Sequence, residues 1–149
     1  LKKNENYILY APEPISAYNL ETKYGFDELS GLTYLNKILK NIKAENFKII
    51  VKAHPNQNHK IFEDYILEHN NNIYLKEFDL NNLIYYADCV IGYFSNSLIE
   101  ANVMGKKILR LLIELREKNI DILENKNIGK RIFLEKELSE ELKKIVSKT

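Results

Sequence analysis

The chain has 149 residues, of which 45% are hydrophobic and 29% are charged, a composition that excludes a wholly disordered chain or a fibrous repeat. Lys and Arg number 22 against 21 Asp and Glu, and the resulting net charge of +1 argues against nucleic acid or an acidic membrane surface as a partner. The single cysteine, Cys89, excludes an internal disulfide and a structural zinc cluster and suits a reducing compartment.

We expect one domain over residues 1–149, because this length lies in the usual range of roughly 100–200 residues per domain and no linker divides the chain. No apolar run approaches the ~20 residues needed to span a bilayer. The chain begins with Leu1 rather than Met and has no apolar leader. We therefore expect a piece of a longer cytoplasmic protein, with peripheral association at the inner membrane face left open.

Short apolar runs typical of strands alternate with apolar stripes typical of amphipathic helices. In chain order we predict a strand over 7–10, a helix over 32–42, a strand over 47–53, a helix over 61–66 and a strand over 73–75. We then predict a helix over 80–87, a strand over 89–94, a helix over 97–104 ended by Gly105, and a strand over 108–113.

The pattern is weaker between residues 114 and 137. Residues 121–124 fit a helix or a loop, and a turn at 128–129 with a short strand at 132–134 is a further expectation. A last helix is clearer, with Ser139 as its N-cap, Glu140 and Glu141 in its first turn and lysines toward its end.

Repeated alternation of strand and helix is typical of a parallel α/β sheet. Right-handed crossovers place helices on both faces, so we predict a Rossmann-like sheet of about five strands. Ligands of such sheets bind at the carboxyl ends of the strands. The candidate site residues therefore follow the strands, in the segments 11–16, 54–58, 77–80 and 94–97.

His54 and Pro55 form the first candidate motif, directly after the second predicted strand. A neutral imidazole can donate a hydrogen bond to a phosphate oxygen, and a charged one can offset the charge of a leaving nucleotide. Pro55 restricts His54 to extended geometry. The alternative is a histidine in an ordinary polar turn.

The second candidate is the segment from Ser95 to Glu100, where a strand ends and a helix begins. Free N–H groups and the positive end of the helix dipole form an anion site at such a point, and Ser95 and Ser97 add hydroxyl donors. A carboxylate at Glu100 can accept both hydroxyls of a ribose. The alternative is a capping box, with Ser97 as the N-cap and Glu100 three residues later.

Weaker signals concern Glu13, Ser16 and the other histidines. Glu13 and Ser16 follow the first strand and either reach a ligand or hold the turn beside the prolines. We predict no metal, because His54 and His59 are five residues apart, a poor spacing for two ligands on one helix face. Glycine-rich phosphate loops, zinc-protease motifs and CxxC are absent from the sequence, and we predict no bound cofactor.

Two segments together resemble a known family. Residues 49–55 read IIVKAHP and residues 87–97 read ADCVIGYFSNS, which is similar to the C-terminal half of GT-B glycosyltransferases. The HP motif followed by a serine motif is most similar to the bacterial sialyltransferase and polysialyltransferase families. Residues 97–106 also resemble the wider GT-B pattern, in which a glutamate five residues before a glycine binds the donor ribose; Glu100 and Gly105 match it.

The resemblance implies a nucleotide-sugar-binding domain of a metal-independent transferase in bacterial surface polysaccharide synthesis, with a CMP-linked sugar as donor. His54 would then be the catalytic residue that binds and assists the departing phosphate, and Ser95 and Ser97 would hold that phosphate. Pro55 and Asn96 complete the two motifs as substrate-binding residues.

The resemblance also implies what this chain lacks. GT-B enzymes have two such domains, and the acceptor site, with the carboxylate base of sialyltransferases, belongs to the N-terminal one. We therefore expect an N-terminal acceptor domain of the same enzyme as partner, and we assign no residue of this chain as the base.

Two alternatives stay open. CDP-glycerol phosphotransferases and UDP-N-acetylglucosamine 2-epimerases share this half-fold and differ in their nucleotide. A non-catalytic flavodoxin-like interaction module would use His54 as a turn residue and the segment 95–100 for capping alone.

Overall fold

A single six-stranded sheet forms the centre of the molecule, and every neighbouring pair of strands runs parallel. The computed structural model describes residues 5–116 and 127–148. The strands are β1 (Tyr7–Tyr10), β2 (Lys48–Lys52), β3 (Asn72–Leu75), β4 (Cys89–Gly92), β5 (Ile108–Leu111) and β6 (Lys130–Ile132). The predicted parallel α/β sheet is confirmed, with one strand more than the expected five.

The helices cover both faces of this sheet. They are α1 (Glu21–Tyr24), α2 (Glu28–Asn41), α3 (His59–Ile66), α4 (Leu80–Tyr85), α5 (Asn96–Val103) and α6 (Glu135–Ser147), with a 3₁₀ turn at Ser16–Tyr18. The apolar sides of α2, α3 and α6 pack on one face, and those of α4 and α5 pack on the other.

The strands send alternate side chains to the two faces, so each strand contributes to two apolar layers. On β1, Ile8 and Tyr10 face α2, whereas Tyr7 and Leu9 face α4 and α5. All four are at most 1% exposed. Burial on both faces explains why the strands read as continuous apolar runs, which is typical of parallel sheets.

The strand order is β3-β2-β1-β4-β5-β6, so the chain builds outward from β1 in one direction and then returns to β1 on its other side. The connections after β1 and β4 therefore diverge to opposite faces. This reversal leaves a crevice beyond the carboxyl ends of β1 and β4, where ligands bind in open α/β sheets.

The C-terminal region differs from the sequence-based prediction in two places. The short strand expected at 132–134 is β6, three residues long and two positions earlier, and it completes the sheet beside β5. Ser139 is not an N-cap: α6 begins at Glu135, and the Glu137 side chain caps it by accepting from Phe133 N and Leu134 N at 3.1 and 3.0 Å. The predicted helix or loop at 121–124 lies outside the described residues.

Glu141 also has a different role from the one predicted. It lies within α6, is 4% exposed, and its carboxylate contacts Lys107 Nζ at 3.0 Å, Lys144 Nζ at 3.4 Å and Lys130 Nζ at 3.5 Å. Because Lys107 precedes β5 and Lys130 starts β6, this carboxylate joins the edge of the sheet to α6.

Two buried tyrosines anchor the first turn of α2 to the sheet. The Tyr10 hydroxyl donates to Glu28 O at 2.6 Å, and the Tyr93 hydroxyl donates to Asp27 O at 2.7 Å and accepts from Gly31 N at 2.8 Å. A Cβ at Gly31 would lie 2.5 Å from the Tyr10 hydroxyl oxygen. Glycine is therefore required at this position by the close approach of the hydroxyls.

We expect Gly31→Ala to destabilise the protein by about 2 kcal/mol, because the added methyl group displaces both hydroxyls and overpacking costs more than the roughly 1 kcal/mol that alanine gains in helix propensity. Chemical denaturation measures the difference. Thr33→Ala, at an exposed position of α2, is the matched control and should change stability by less than about 0.5 kcal/mol. Equal stability of Gly31→Ala and wild type would contradict this account.

Candidate functional site

The loops after β1 and β4 are joined at the crevice by three hydrogen bonds. Ala11 N donates to Ile91 O at 2.8 Å, Ser95 Oγ donates to Ala11 O at 2.9 Å, and Phe94 N donates to Glu13 Oε2 at 2.9 Å. A Cβ at Gly92 would lie 2.8 Å from Ala11 O, so the absence of a side chain lets the two chain segments approach. This junction holds the two loops next to each other.

Glu13 has the most perturbed carboxyl of the junction. The residue is partly exposed, but its Oε1 atom is buried and has no hydrogen-bond partner among the described residues. Burial raises the pKa of Glu13 from 4.5 to about 7, although the backbone N–H groups of Phe94 and Ser95 act in the opposite direction. The carboxyl therefore exchanges its proton near neutral pH, which is a property typical of functional sites.

His54 follows β2 and presents one ring nitrogen for binding. Its Nδ1 accepts from Asn56 N at 3.1 Å, which leaves the proton of the neutral ring on Nε2. Burial, and next the positive charge of Lys52, lower the pKa of His54. At neutral pH the imidazole is therefore uncharged and can donate one hydrogen bond from Nε2.

Glu13 and His54 line one cavity of about 360 Å³. Its remaining walls are formed by side chains from the loop after β1, from α1 and from the end of β4: Pro14, Ile15, Tyr18, Leu20, Tyr24 and Phe94. This volume lies within the range of small-molecule sites, roughly 300–1,000 Å³, and the mixture of an apolar wall with a few polar groups is typical of them.

The serine motif adopts a different arrangement from the predicted capping box. Ser95, not Ser97, is the N-cap of α5; its hydroxyl donates to Ala11 O and accepts no hydrogen bond from the helix. Ser97 is the second residue of α5 and is 5% exposed. Asn96 and Glu100 are exposed. The capping-box interpretation of Ser97 and Glu100 is therefore wrong, because Ser97 lies inside the helix and Ser95 occupies the N-cap position.

The first turn of α5 begins at the same end of the sheet as His54, where the carboxyl ends of the strands lie. The Ser95 side chain caps none of the backbone N–H groups that open the helix, although its carbonyl oxygen accepts from Leu98 N at 3.0 Å. Such N–H groups bind anions. The structure thus brings Glu13, His54 and the start of α5 to one edge, while Glu100 lies farther along the helix.

Ser16 and Pro55 do not line the cavity that Glu13 and His54 share. Ser16 N donates to both carboxylate oxygens of Glu28 at 3.2 Å, which fixes the loop after β1. Gln57 Nε2 donates to Glu28 Oε2 at 2.8 Å, which fixes the loop after β2. Pro55 is exposed. Glu28 is fully buried and so links both loops to α2, a role that its place in a first helical turn did not reveal.

Arg110 is a second residue that the sequence analysis missed. It lies in β5, is 1% exposed, donates from Nε to Tyr93 O at 3.1 Å and lies 6.0 Å from the centre of the Phe94 ring. A lone arginine within an apolar strand was the signal available in the sequence. Its guanidinium places a positive charge beneath the loop that leads to α5.

Two features are absent from the part of the chain that the structure describes. Over residues 5–116 and 127–148, no helix is long and apolar enough to cross a membrane. Within the same ranges, no cluster of three or more His, Cys, Asp or Glu side chains could hold a metal ion.

The fold and the crevice define the class of structure: a parallel sheet in this order, flanked by helices, matches the Rossmann-like half of a GT-B fold. Among solved structures, the chain is similar to UDP-GlcNAc 2-epimerase from Methanocaldococcus jannaschii in complex with UDP-GlcNAc and UDP. The TM-score is 0.66 at 13% identity over 97% of this chain and 40% of that one.

It is also similar to UDP-GlcNAc 2-epimerase from Neisseria meningitidis bound to UDP-GlcNAc, with a TM-score of 0.60 at 14% identity over 99% of this chain and 37% of that one. A third similar structure is KpsC from Thermosulfurimonas dismutans, a beta Kdo 2,7 transferase. Here the TM-score is 0.55 at 16% identity over 91% of this chain and 41% of that one.

No family model and no curated protein matches the sequence. At these identities the likeness shows the fold alone, and the chain spans about two fifths of the length of these neighbours. The resemblance to a GT-B half is thus confirmed for the fold, and the sialyltransferase specificity stays a prediction.

We expect Glu13→Gln to stabilise the protein at pH 8 and to leave its stability nearly unchanged at pH 4. The folded-state pKa of about 7 lies above the ordinary value of 4.5, so the unfolded chain releases this proton first and stability falls as the pH rises between those values. Above pH 7 the loss amounts to about 3 kcal/mol, which glutamine removes.

Thermal and urea unfolding of both proteins at pH 4 and pH 8 measure this difference. Glu77→Gln is the matched control, because Glu77 is exposed and follows β3 at the same sheet edge. A Glu13→Gln protein that is no more stable than wild type at pH 8 would show that Glu13 ionises without a burial penalty.

Proposed function

We propose that this chain is the donor-binding domain of a metal-independent glycosyltransferase of bacterial surface polysaccharide synthesis, and that it binds the phosphate of a nucleotide sugar. One observation supports the proposal above the others. His54 and Glu13 line the same cavity, at the reversal of strand order and beside the start of α5. That is the place where open α/β sheets bind nucleotides.

The chemistry of the edge suits a phosphate group without a metal. The Nε2–H of a neutral His54 donates to a phosphate oxygen, and the N–H groups of Asn96 and Ser97 donate from the first turn of α5. When the bond between the sugar and the phosphate breaks, the electron pair stays on the phosphate oxygen. Donors already oriented toward that oxygen stabilise the charge as it forms.

Ser95 and Glu100 have separate tasks in this proposal. Ser95 keeps the loop in position through its bond to Ala11 O, and its role at the phosphate depends on a change of hydroxyl orientation. Glu100 is exposed on α5, where its carboxylate can accept from the hydroxyls of the donor ribose. Its preference for ribose leaves the base of the nucleotide unspecified.

The reaction needs groups beyond this site. No carboxylate described here is assigned as the base that deprotonates the acceptor, and we propose that an N-terminal acceptor domain of the same enzyme supplies it. A CMP-linked sugar is the proposed donor, from the resemblance of the HP and serine motifs. We further propose a cytoplasmic location that permits contact with the inner membrane face.

A second candidate is an epimerase-like domain that binds a UDP-linked sugar. The observation that favours it is the similarity to two UDP-GlcNAc 2-epimerase structures, each with UDP-GlcNAc bound. The two candidates share the phosphate site and differ in the nucleotide base. The preferred nucleotide therefore separates them.

Calorimetric titration with CMP, CDP, UDP, CMP-N-acetylneuraminate and UDP-GlcNAc tests the proposal. We expect the wild-type protein to bind at least one of them, with CMP ligands favoured under the first candidate and UDP ligands under the second. We expect His54→Ala to weaken binding about tenfold, the effect of losing one hydrogen bond to a charged group.

His69→Ala is the matched control, because His69 follows α3 at the opposite end of the sheet and donates from Nδ1 to Tyr65 O. Its affinity should equal that of wild type. If no nucleotide binds, or if His54→Ala binds as wild type does, the molecule is better described as an interaction module in which these residues only hold turns.

A further inference from the structure

The loop that leads to α5 already binds a carboxyl group from within the chain, that of Glu13. Glu13 Oε2 accepts from Phe94 N at 2.9 Å, so this carboxyl binds at the loop that the proposed phosphate would approach. Its second oxygen, Oε1, is buried and has no hydrogen-bond partner among the described residues. An unpaired buried oxygen is costly unless a proton or a ligand group meets it.

The charged and titratable groups around Glu13 come from several elements. Lys52, at the end of β2, attracts the carboxylate, and its own pKa is lowered by burial. His54 faces the same cavity and is neutral near pH 7. Burial raises the pKa of Tyr10 and Tyr93, so both hydroxyls stay protonated. Arg110 lies beyond Phe94 on β5.

An ionised Glu13 and a phosphate at the same loop oppose each other. Both are anions, they use neighbouring N–H donors, and the low dielectric of a buried site strengthens their repulsion. A protonated Glu13 has the reverse effect, because its O–H becomes a donor for a phosphate oxygen. The cavity therefore admits the ligand most favourably when one proton accompanies it.

We propose that Glu13 is a further ligand-binding residue of the proposed phosphate site, and that a nucleotide sugar binds there together with one proton taken up by the Glu13 carboxyl. This inference rests on the proposed function and adds a residue and a proton to it. The proton moves from solvent to a Glu13 oxygen as the ligand binds, and no bond of the ligand changes.

The expected size of the effect follows from the ionisation of the free protein. The pKa of about 7 means that Glu13 is almost fully protonated at pH 6 and about nine-tenths ionised at pH 8. If only the protonated form binds, affinity at pH 8 is about tenfold weaker than at pH 6, with uptake of about 0.9 proton per ligand at pH 8.

The test is calorimetry with CMP-N-acetylneuraminate and UDP-GlcNAc at pH 6 and pH 8. The phosphates of both ligands keep a constant charge over this range, so a change in affinity reports the protein. Titration in two buffers of different ionisation enthalpy counts the protons taken up. We expect about tenfold weaker binding at pH 8 in the wild-type protein.

Glu13→Gln imitates the protonated carboxyl, because its amide is neutral and can both accept from Phe94 N and donate to a ligand. We expect this variant to bind at pH 8 as tightly as wild type binds at pH 6, with proton uptake near zero. His54 and Lys52 remain in the variant, so any slope that they cause persists. Glu77→Gln should keep the wild-type pH dependence, and circular dichroism verifies that both variants fold.

The outcomes separate the two proposals. Binding with equal affinity at pH 6 and pH 8 and without proton uptake overturns the role of Glu13 and leaves the proposed function standing. Absence of binding by wild type and Glu13→Gln at both pH values overturns both. Binding by both proteins at pH 6 but much more tightly by Glu13→Gln than by wild type at pH 8 supports both, because it shows that the carboxylate excludes the ligand.

Discussion

The contact between the end of β1 and the start of α5 is the constraint on which the rest of the site depends. Ala11 uses its N–H toward Ile91 and its carbonyl toward Ser95, and Glu13 completes the junction at Phe94. The helices that follow these two neighbouring strands, α2 after β1 and α5 after β4, pack on opposite faces of the sheet. The hydrogen bonds therefore fix the two loops at the crevice that this topology creates.

Stability and the proposed binding role place opposite requirements on Glu13. A structure selected for stability alone would place an apolar residue or a fully paired carboxyl at a buried junction, because an unpaired buried oxygen lowers stability. Natural proteins keep such a cost where activity needs it. The buried Glu28, whose carboxylate accepts from Ser16 and Gln57, shows the contrasting case of a carboxyl used to join loops.

The sequence predicted the parts of the molecule that depend on local patterns, and contacts between distant segments lay beyond it. Continuous apolar runs revealed the parallel strands, and the edge that holds His54 followed from the direction of those strands. The N-cap of α5 could not be predicted, because the Ser95 hydroxyl donates to Ala11 O, 84 positions away, and does not cap its own helix. The sixth strand was predicted two positions too far along the chain, because its first two residues, Lys130 and Arg131, are exposed and only Ile132 is buried.

Residues that join elements left weak signals for the same reason. Arg110 interrupts an apolar strand, which is an anomaly visible in the sequence, but its partner Tyr93 is known only once β4 and β5 are neighbours. In the sequence Glu28 looks like an ordinary acidic residue of a first helical turn, and only the structure shows that Gln57 donates a hydrogen bond to it. What the sequence could not show is the convergence of such residues, which brings Glu13 and His54, from the loops after two different strands, into one cavity.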